Sequence, residues 1–262
     1  MLGNHVSSNA AGPYAGSRKR RGAIAFTLLF AFTMISCSAP AGRSSPPMHA
    51  DYIDGAADLA ALALRFAPVL FLHPDEPFSV VAVIAVYHPS KPVIAYHIFF
   101  DDDAFLAGRG KSVDHEIAWV EYDPVTLKVT DVFTLWHRTV LRTESCLMDA
   151  KASGQRPKIE VQWGQHGLLP FGWKSLVTAR PRLELAMHYE VVRYINRLPK
   201  ASSMKPAVSF KGSFNDYLAF TKKVDAADFI HERDIVKAEH SLEFLRSRFG
   251  TTFLPKKEWP DW

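Results

Sequence analysis

Cysteine is scarce in this chain: Cys37 and Cys146 are the only two among 262 residues. Two cysteines cannot build the disulfide framework on which small secreted domains rely, so the fold must rest on buried apolar side chains. Long apolar runs are missing as well. The longest, residues 22–36, spans about 15 positions, whereas a membrane-spanning helix needs about 20. Charge of one sign is also lacking once the N-terminus is set aside. The net charge is +4, and Arg18, Lys19, Arg20 and Arg21 are the only charged side chains before Cys37, so the remainder carries 4 − 4 = 0. A neutral body offers no concentrated basic surface for nucleic acid. There is no G-x-S-x-G, no phosphate-binding glycine loop, no H-E-x-x-H and no internal repeat. His231, Glu232 and His240 lack the helical spacing of zinc ligands and read as surface residues. What is present is globular: 48% apolar and 22% charged residues exclude wholesale disorder.

The basic block at residues 18–21 precedes the apolar run, which ends in Ser36 before Cys37. Basic region, apolar region and small residue in that order are the layout of a secretory signal. The run Met34, Ile35, Ser36, Cys37 resembles the lipobox of bacterial lipoproteins, with Met where Leu is usual. The resemblance implies that Cys37 becomes the acylated first residue of the mature chain and that residues 1–36 are removed. Several acyl chains hold a protein stably to a bilayer. Ser38, rather than Asp, follows the cysteine, which by the same resemblance implies the outer membrane of a cell envelope, facing the periplasm or the surface. The alternative is an uncleaved N-terminal anchor. Arg20 and Arg21 lack the rest of a twin-arginine signal. Seventeen residues precede the basic block, a length that fits a start codon further downstream. With Cys37 acylated, Cys146 is left as a lone thiol with no motif around it, and reads as a small buried hydrophobe.

Residues 37–55 are rich in Ser, Pro, Ala and Gly and read as a flexible tether. Residues 56–262 then form one globular domain: β-rich over 65–172, helical over 173–250, with a short tail at 251–262. Ala and Leu over residues 56–66 predict a helix stopped by Pro68. Two strands flank a proline-rich turn at residues 73–77. Further strands are expected over residues 93–100, 116–122, 128–135 and 158–163, the second and third joined by a hairpin turn at Asp123, Pro124, Val125 and Thr126. Strands linked this way, without crossover helices, predict an antiparallel β-sandwich. The period then changes, and residues 182–196 and 234–249 read as amphipathic helices, the second capped by Gly250. A polar break separates them at residues 200–205, and Trp259 or Trp262 is expected to pin the tail. The fold class is α+β, a β-sandwich core with C-terminal amphipathic helices.

Side chains two apart on a strand share a face, so Asp114 and Glu116 project together while His115, Ile117 and Trp119 project oppositely. Asp101, Asp102 and Asp103 end the preceding strand, and pairing of the two strands brings one of them near Asp114 and Glu116. Three carboxylates in one place need a cation or a proton between them. Hard oxygen donors suit Mg²⁺ or Ca²⁺ better than zinc. His137 and His166, each at a strand end, could add a nitrogen ligand or an acid/base group. The plain alternative is a solvated strand edge at Asp114 and Glu116, with His137 a half-buried histidine beside Trp136.

The order F-F-D-x-D, a glycine-containing loop, then D-x-E at the head of a strand resembles the necrosis-inducing protein family. It is similar also to the domain named for vacuolar protein sorting-associated protein 62, whose opening the stretch RFAPVLFLHPDEPF resembles. In both, an acidic strand precedes a hairpin ending in histidine and a later strand ends in another; the matching positions are Asp114, Glu116, His137 and His166. The resemblance covers residues 65–172. It implies a β-sandwich with a divalent cation, Mg²⁺ or Ca²⁺, held by Asp103, Asp114 and Glu116. His115 stands where that family has Trp, and Lys111 and Val113 where it has histidines.

The expected function is therefore that of a lipid-anchored envelope protein whose sandwich binds a divalent cation and recognises a glycan or lipid headgroup. One alternative is a metal-assisted hydrolase using Asp103, Asp114 and Glu116 with His137 or His166 as general base. The other is a structural lipoprotein without a metal site. The first two differ in one feature: a hydrolase needs an open coordination position and a base within hydrogen-bond reach, so His137 or His166 should converge on the carboxylates, and imidazoles turned into the core or away would exclude it.

Overall fold

The computed structural model describes residues 56–104, 113–176, 180–194, 209–250, 256 and 259–260. The signal, Cys37, the tether, the loop at residues 105–112, the polar break at residues 200–205 and Trp262 lie outside them.

Helix α1 (Ala56–Phe66) has the Ala/Leu composition of a good helix former and ends before Pro68, whose ring cannot continue it. Its Ala63 and Phe66 are fully buried, and Ala63 O accepts a hydrogen bond of 2.8 Å from Tyr96 Oη. Strands β1 (Val69–Leu72), β2 (Val80–Tyr87), β3 (Val93–Phe100), β4 (Asp114–Tyr122), β5 (Val129–Trp136) and β6 (Thr139–Leu141) follow. Helix α2 (Glu144–Ala152), β7 (Lys158–Val161) and β8 (Leu168–Pro170) complete the β-rich part. Then come α3 (Arg180–Tyr194), α4 (Phe214–Tyr217), β9 (Lys222–Asp225), β10 (Ile235–Lys237) and α5 (Ala238–Phe249).

The strands form two sheets, ordered β10-β2-β3-β4-β5-β6 and β8-β7-β1-β9. Alternate residues of β2, β3 and β4 (Val83 and Ala85, Ile94 to Phe100, Ala118 to Tyr122) meet Leu70, Leu72, Ile159 and Val161 of the smaller sheet in one buried cluster. That is the packing of a sandwich. The opposite face of the larger sheet, including Ile84, Phe99, Ile117 and Trp119, is covered by Phe244 and Phe249 of α5 and by Trp259. Trp259 also packs against the His88 ring, with centroids 4.6 Å apart, so it pins the tail as expected.

The α+β class and the sandwich core agree with the sequence reading, and the 123–126 turn closes as expected, with Asp123 Oδ1 accepting from Val125 N and Thr126 N. Several details differ, among them strands β6, β8 and β9, which the strand pattern does not anticipate, β9 lying within the part read as helical. Two pairings, β1 with β7 and β10 with β2, are parallel. The segment 234–249 is not one helix: its start is strand β10, because Ile235 and Val236 are β-branched and pair with Ala85 and Val86. Helix α2 was not anticipated, since ESCLMDAKA has no clear apolar stripe; Thr143 caps it by accepting from Cys146 N. Cys146 on α2 is fully buried, and burial pushes its thiol up to about 12, in keeping with a packing role.

Candidate functional site

One end of the sandwich collects the acidic and imidazole side chains. Phe100 and Asp114 are cross-strand partners, so the start of β4 lies beside the end of β3. Strand β5 ends at Trp136, which leaves the first residues of β4 as a local edge. The β7–β8 turn curls over this edge, with His166 N donating to Gln162 O (3.0 Å) and Gln162 N to Gly167 O (3.1 Å). Gly167 is required there: a Cβ would stand 2.9 Å from the Trp136 ring. His166 and His137 both hold a positive φ, 57° and 52°, a conformation uncommon outside glycine and worth attention in residues of polar chemistry.

His166 is fully buried and engaged at both nitrogens. Its Nδ1 lies 2.8 Å from Asp114 Oδ2 and its Nε2 3.3 Å from Glu76 Oε1, while the Phe100 ring stacks on it at 3.8 Å. Glu76 comes from the proline-rich turn. Its Oε2 accepts from Gly164 N (2.8 Å) and its Oε1 from Phe78 N (3.2 Å), so turn and carboxylate fix one another. Burial works against a charged His166, but the bonds to Asp114 and Glu76 prevail and lift it to about 10. Burial likewise opposes ionisation of Asp114, yet the His166 bond and the nearby Lys256 hold it below the ordinary carboxylate value. His166 is thus an imidazolium bridging two carboxylates.

Glu116 lies two residues on, on the same face, and only 1% of it is exposed. Its Oε1 accepts from the Lys256 ammonium, whereas its Oε2 is buried without a hydrogen-bond partner. Burial raises Glu116 to about 8; Lys256 draws it back and Asp114 adds to the rise. Neither Asp114 nor Glu116 sits on an exposed edge, so the reading of a merely solvated strand end does not fit. Asp103 is half-buried at the rim. Its neighbour Ala104 donates to Gly164 O at 2.6 Å, which lays residues 101–104 along the same turn that Glu76 holds. Asp102 is buried, and its Oδ1 accepts from Asp103 N.

Next to this acidic group is a second one of aromatic, imidazole and amide side chains with a single glutamate. Trp136 Nε1 donates to Glu184 Oε2 (2.9 Å). His137 meets His188 of α3 edge-to-face at 4.9 Å, and Gln162 Nε2 lies 2.8 Å from His188 Nδ1 and 3.0 Å from Tyr217 Oη. Burial lowers His137 to about 4, helped by His188, and lowers His188 also. On the far side of the larger sheet, His115 stacks between His97 and Phe99, with His97 Nδ1 2.9 Å from His115 Nε2. Burial holds His97 at about 3 and His115 well below the usual imidazole range. His115 therefore belongs to the α5-covered layer and not to the acidic end.

Among the described residues, no group of three or more His, Cys, Asp or Glu side chains is placed to hold a metal ion. The sequence singled out Asp103, Asp114, Glu116, His137 and His166; the structure brings His166 onto Asp114 beside Glu116, while His137 packs against Trp136 and His188 in the neighbouring group. It adds Glu76, Gln162, Glu184, His188 and Lys256, which come from a turn, the smaller sheet, α3 and the tail. For Glu76 a signal existed: a glutamate between Pro74 and Pro77, where a rigid turn can aim it. No helix among the described residues is long and apolar enough to cross a membrane.

No protein-family model and no curated protein matches the chain. Among solved structures, the chain is similar to one described as NLPPya in complex with glucosamine, at 17% identity and a TM-score of 0.33, covering 71% of this chain and 97% of that one. It is similar also to one described as a toxin fold for microbial attack and plant defense, at 15% identity and a TM-score of 0.33, covering 71% and 96%.

Proposed function

We propose that this is a binding domain rather than a hydrolase: its acidic end holds a divalent cation, Mg²⁺ or Ca²⁺, and through it the oxygens of a glycan or lipid headgroup. The observation that carries the reading is Glu116, a buried carboxylate beside Asp114 with one oxygen, Oε2, lacking any partner. A buried carboxylate oxygen without a donor is costly; a proton relieves it while burial holds Glu116 at about 8, and a divalent cation is the group that would displace that proton. The donor set fits a hard ion: Asp114 and Glu116 as first ligands, with Asp103 at the rim. Such an ion supplies Lewis-acidic attraction for ligand oxygens, and hydroxyl and phosphate groups suit its remaining positions.

The protein's own residues define the rest. Glu76 and Asp114 orient His166, and Lys256 neutralises Glu116 until a stronger cation replaces it. His166 does not suit the role of general base, because both nitrogens are bonded to carboxylates and its raised pKa keeps it protonated at neutral pH. That favours binding over hydrolysis. Acylation at Cys37 would station the domain at an outer membrane.

Metal content and thermal melting of the chain from Ser38 onward test the reading, beside the Asp114→Ala/Glu116→Ala double variant. A stoichiometric ion, with a melting temperature that rises on adding Mg²⁺ or Ca²⁺ only in the unsubstituted protein, is the expected result. No bound ion and no shift in either protein would remove the cation from the account.

A further inference from the structure

We propose that the end of the sandwich opposite the acidic group docks on an anionic lipid bilayer, through the apolar side chains of Leu64, Val125 and Met148 flanked by Arg65, Lys128 and Lys151. Docking there presupposes the proposed acylation of Cys37, and it fixes which way the acidic end faces. Strands β2 and β4 run towards this end, and the segments that follow them meet through a bond from Tyr122 N to Pro92 O (2.9 Å). Helix α1 lies across the same strands. Tyr87 Oη donates to Leu59 O and Tyr96 Oη to Ala63 O, and Phe66 stacks on Tyr122 with centroids 4.9 Å apart. Arg65 Nε reaches Leu127 O (3.2 Å), which sets the end of α1 against the 123–127 turn. The chain leaving α2 arrives there too, with Gln155 Oε1 accepting from Val129 N (2.7 Å) and Arg156 Nε donating to Ala67 O (2.9 Å).

Val125 is 80% exposed and is held outward, because Asp123 Oδ1 fixes the turn through Val125 N (2.8 Å) and Thr126 N (2.9 Å). Leu64 is 43% and Met148 58% exposed. Arg65 follows Leu64, Lys128 closes the turn that carries Val125, and Lys151 lies one turn of α2 beyond Met148; all three cations are exposed. None of them forms an ion pair with a described residue. Asp123 beside Lys128 already spends its Oδ1 on the turn, and Asp58 and Glu144 sit in the first turns of α1 and α2, at the ends away from Arg65 and Lys151. Apolar tips bury at the boundary of headgroups and acyl chains while long cationic side chains reach the phosphates, which is how a peripheral surface holds anionic lipid. The path of the chain identifies the occupant. Eighteen residues, 38–55, join Cys37 to α1, whose Leu59 is bonded to Tyr87 at this same end. So short a link keeps the domain at about millimolar local concentration, and a contact too weak to retain a free protein then suffices. The acidic group lies across the domain from the bilayer. Its ligand therefore comes from the aqueous side, as a glycan does, and not from headgroups of the same membrane.

The test couples the chain from Cys37 onward, which keeps every described residue, through that thiol to a maleimide-bearing phospholipid in vesicles of phosphatidylcholine and phosphatidylglycerol. Cys146 is fully buried, so Cys37 alone reacts. Coupling supplies the anchor whether or not the cell acylates Cys37, a question that the intact mass of the native protein answers separately. Hydroxyl-radical footprinting read by mass spectrometry then compares the coupled with the uncoupled chain. Val125 and Met148 should be modified about fivefold more slowly on the vesicles, the protection given by about 1 kcal/mol of docking. Leu183 and Met187 on α3, which are 62% and 44% exposed, should react at the same rate in both. Lys128→Gln/Lys151→Gln should remove the protection, since each cation near an anionic surface contributes about fivefold. Unchanged rates at Val125 and Met148 would overturn the proposal. So would protection that falls on Leu183 and Met187 instead, which would place another face on the bilayer, or protection that survives the double lysine variant, which would remove the anionic lipid.

Discussion

Replacing His166 with glutamine removes the cation that joins Asp114 to Glu76. The imidazole is fully buried, 2.8 Å from one carboxylate and 3.3 Å from the other, and its pKa rises from 6.5 to about 10. At about 1.4 kcal/mol per pH unit, the folded state favours the charged form by about 5 kcal/mol below pH 6.5 and by about 4 kcal/mol at pH 7. Breaking a buried pair by deleting one partner costs a similar amount, about 3–5 kcal/mol. Urea unfolding in EDTA should therefore place His166→Gln about 3–5 kcal/mol below the unsubstituted protein at pH 7. The sign of the pH dependence follows from the raised pKa. The contribution is complete below pH 6.5, declines as pH rises, and is gone above about pH 10. The gap between the two proteins should thus narrow by about 4 kcal/mol between pH 7 and 10. A gap under about 1 kcal/mol at pH 7, the range of an exposed pair, or one that stays constant up to pH 10, would refute the imidazolium bridge.

Three further outcomes are expected. Gly167→Ala should lose about 1–3 kcal/mol in denaturant unfolding, because the new Cβ meets the Trp136 ring at 2.9 Å; a neutral effect would mean the β7–β8 turn yields. Lys256→Met should tighten Mg²⁺ or Ca²⁺ binding by about tenfold, or about 1.4 kcal/mol, measured by calorimetry, since the ammonium no longer competes for Glu116; weaker binding would show that the lysine supports the site instead. Stability should fall on acidification from pH 6.5 towards about 3, because His97 is buried neutral and the unfolded chain takes the proton first. His97→Gln should flatten that slope in urea unfolding at pH 4.5 against pH 7, and an unchanged slope would count against it.

The sandwich was legible because β2 to β5 carry the period and composition of strands, and the 123–126 turn carries its own chemistry. The pairing of Asp114 with Glu116 on one face followed from strand alternation alone. Other features depend on contacts far apart in sequence. Glu76 and His166 are 90 residues apart and meet only because the β1–β2 turn and the β7–β8 turn close the same end. The partnership of Lys256 with Glu116 spans 140 residues. Strand β10 was absorbed into a helix because Ile235 and Ala238 also fit a helical stripe; pairing with β2 decided the matter. Whether His137 and His166 approach the carboxylates was likewise beyond periodicity, since both sit at positive φ where no strand rule fixes the side chain.

Strand β10 has a consequence beyond its three residues. It forms the parallel border of β2, whose sequence VVAVIAVY is almost wholly apolar, and it is delivered by the part of the chain that also builds α5. Without it, β2 would present unpaired N–H and C=O groups along an apolar β-branched strand, the template on which foreign strands add and fibrils grow. Proteolysis or truncation before Ile235 would therefore do more than remove a helical accessory: it would turn a guarded sheet border into a site of self-association.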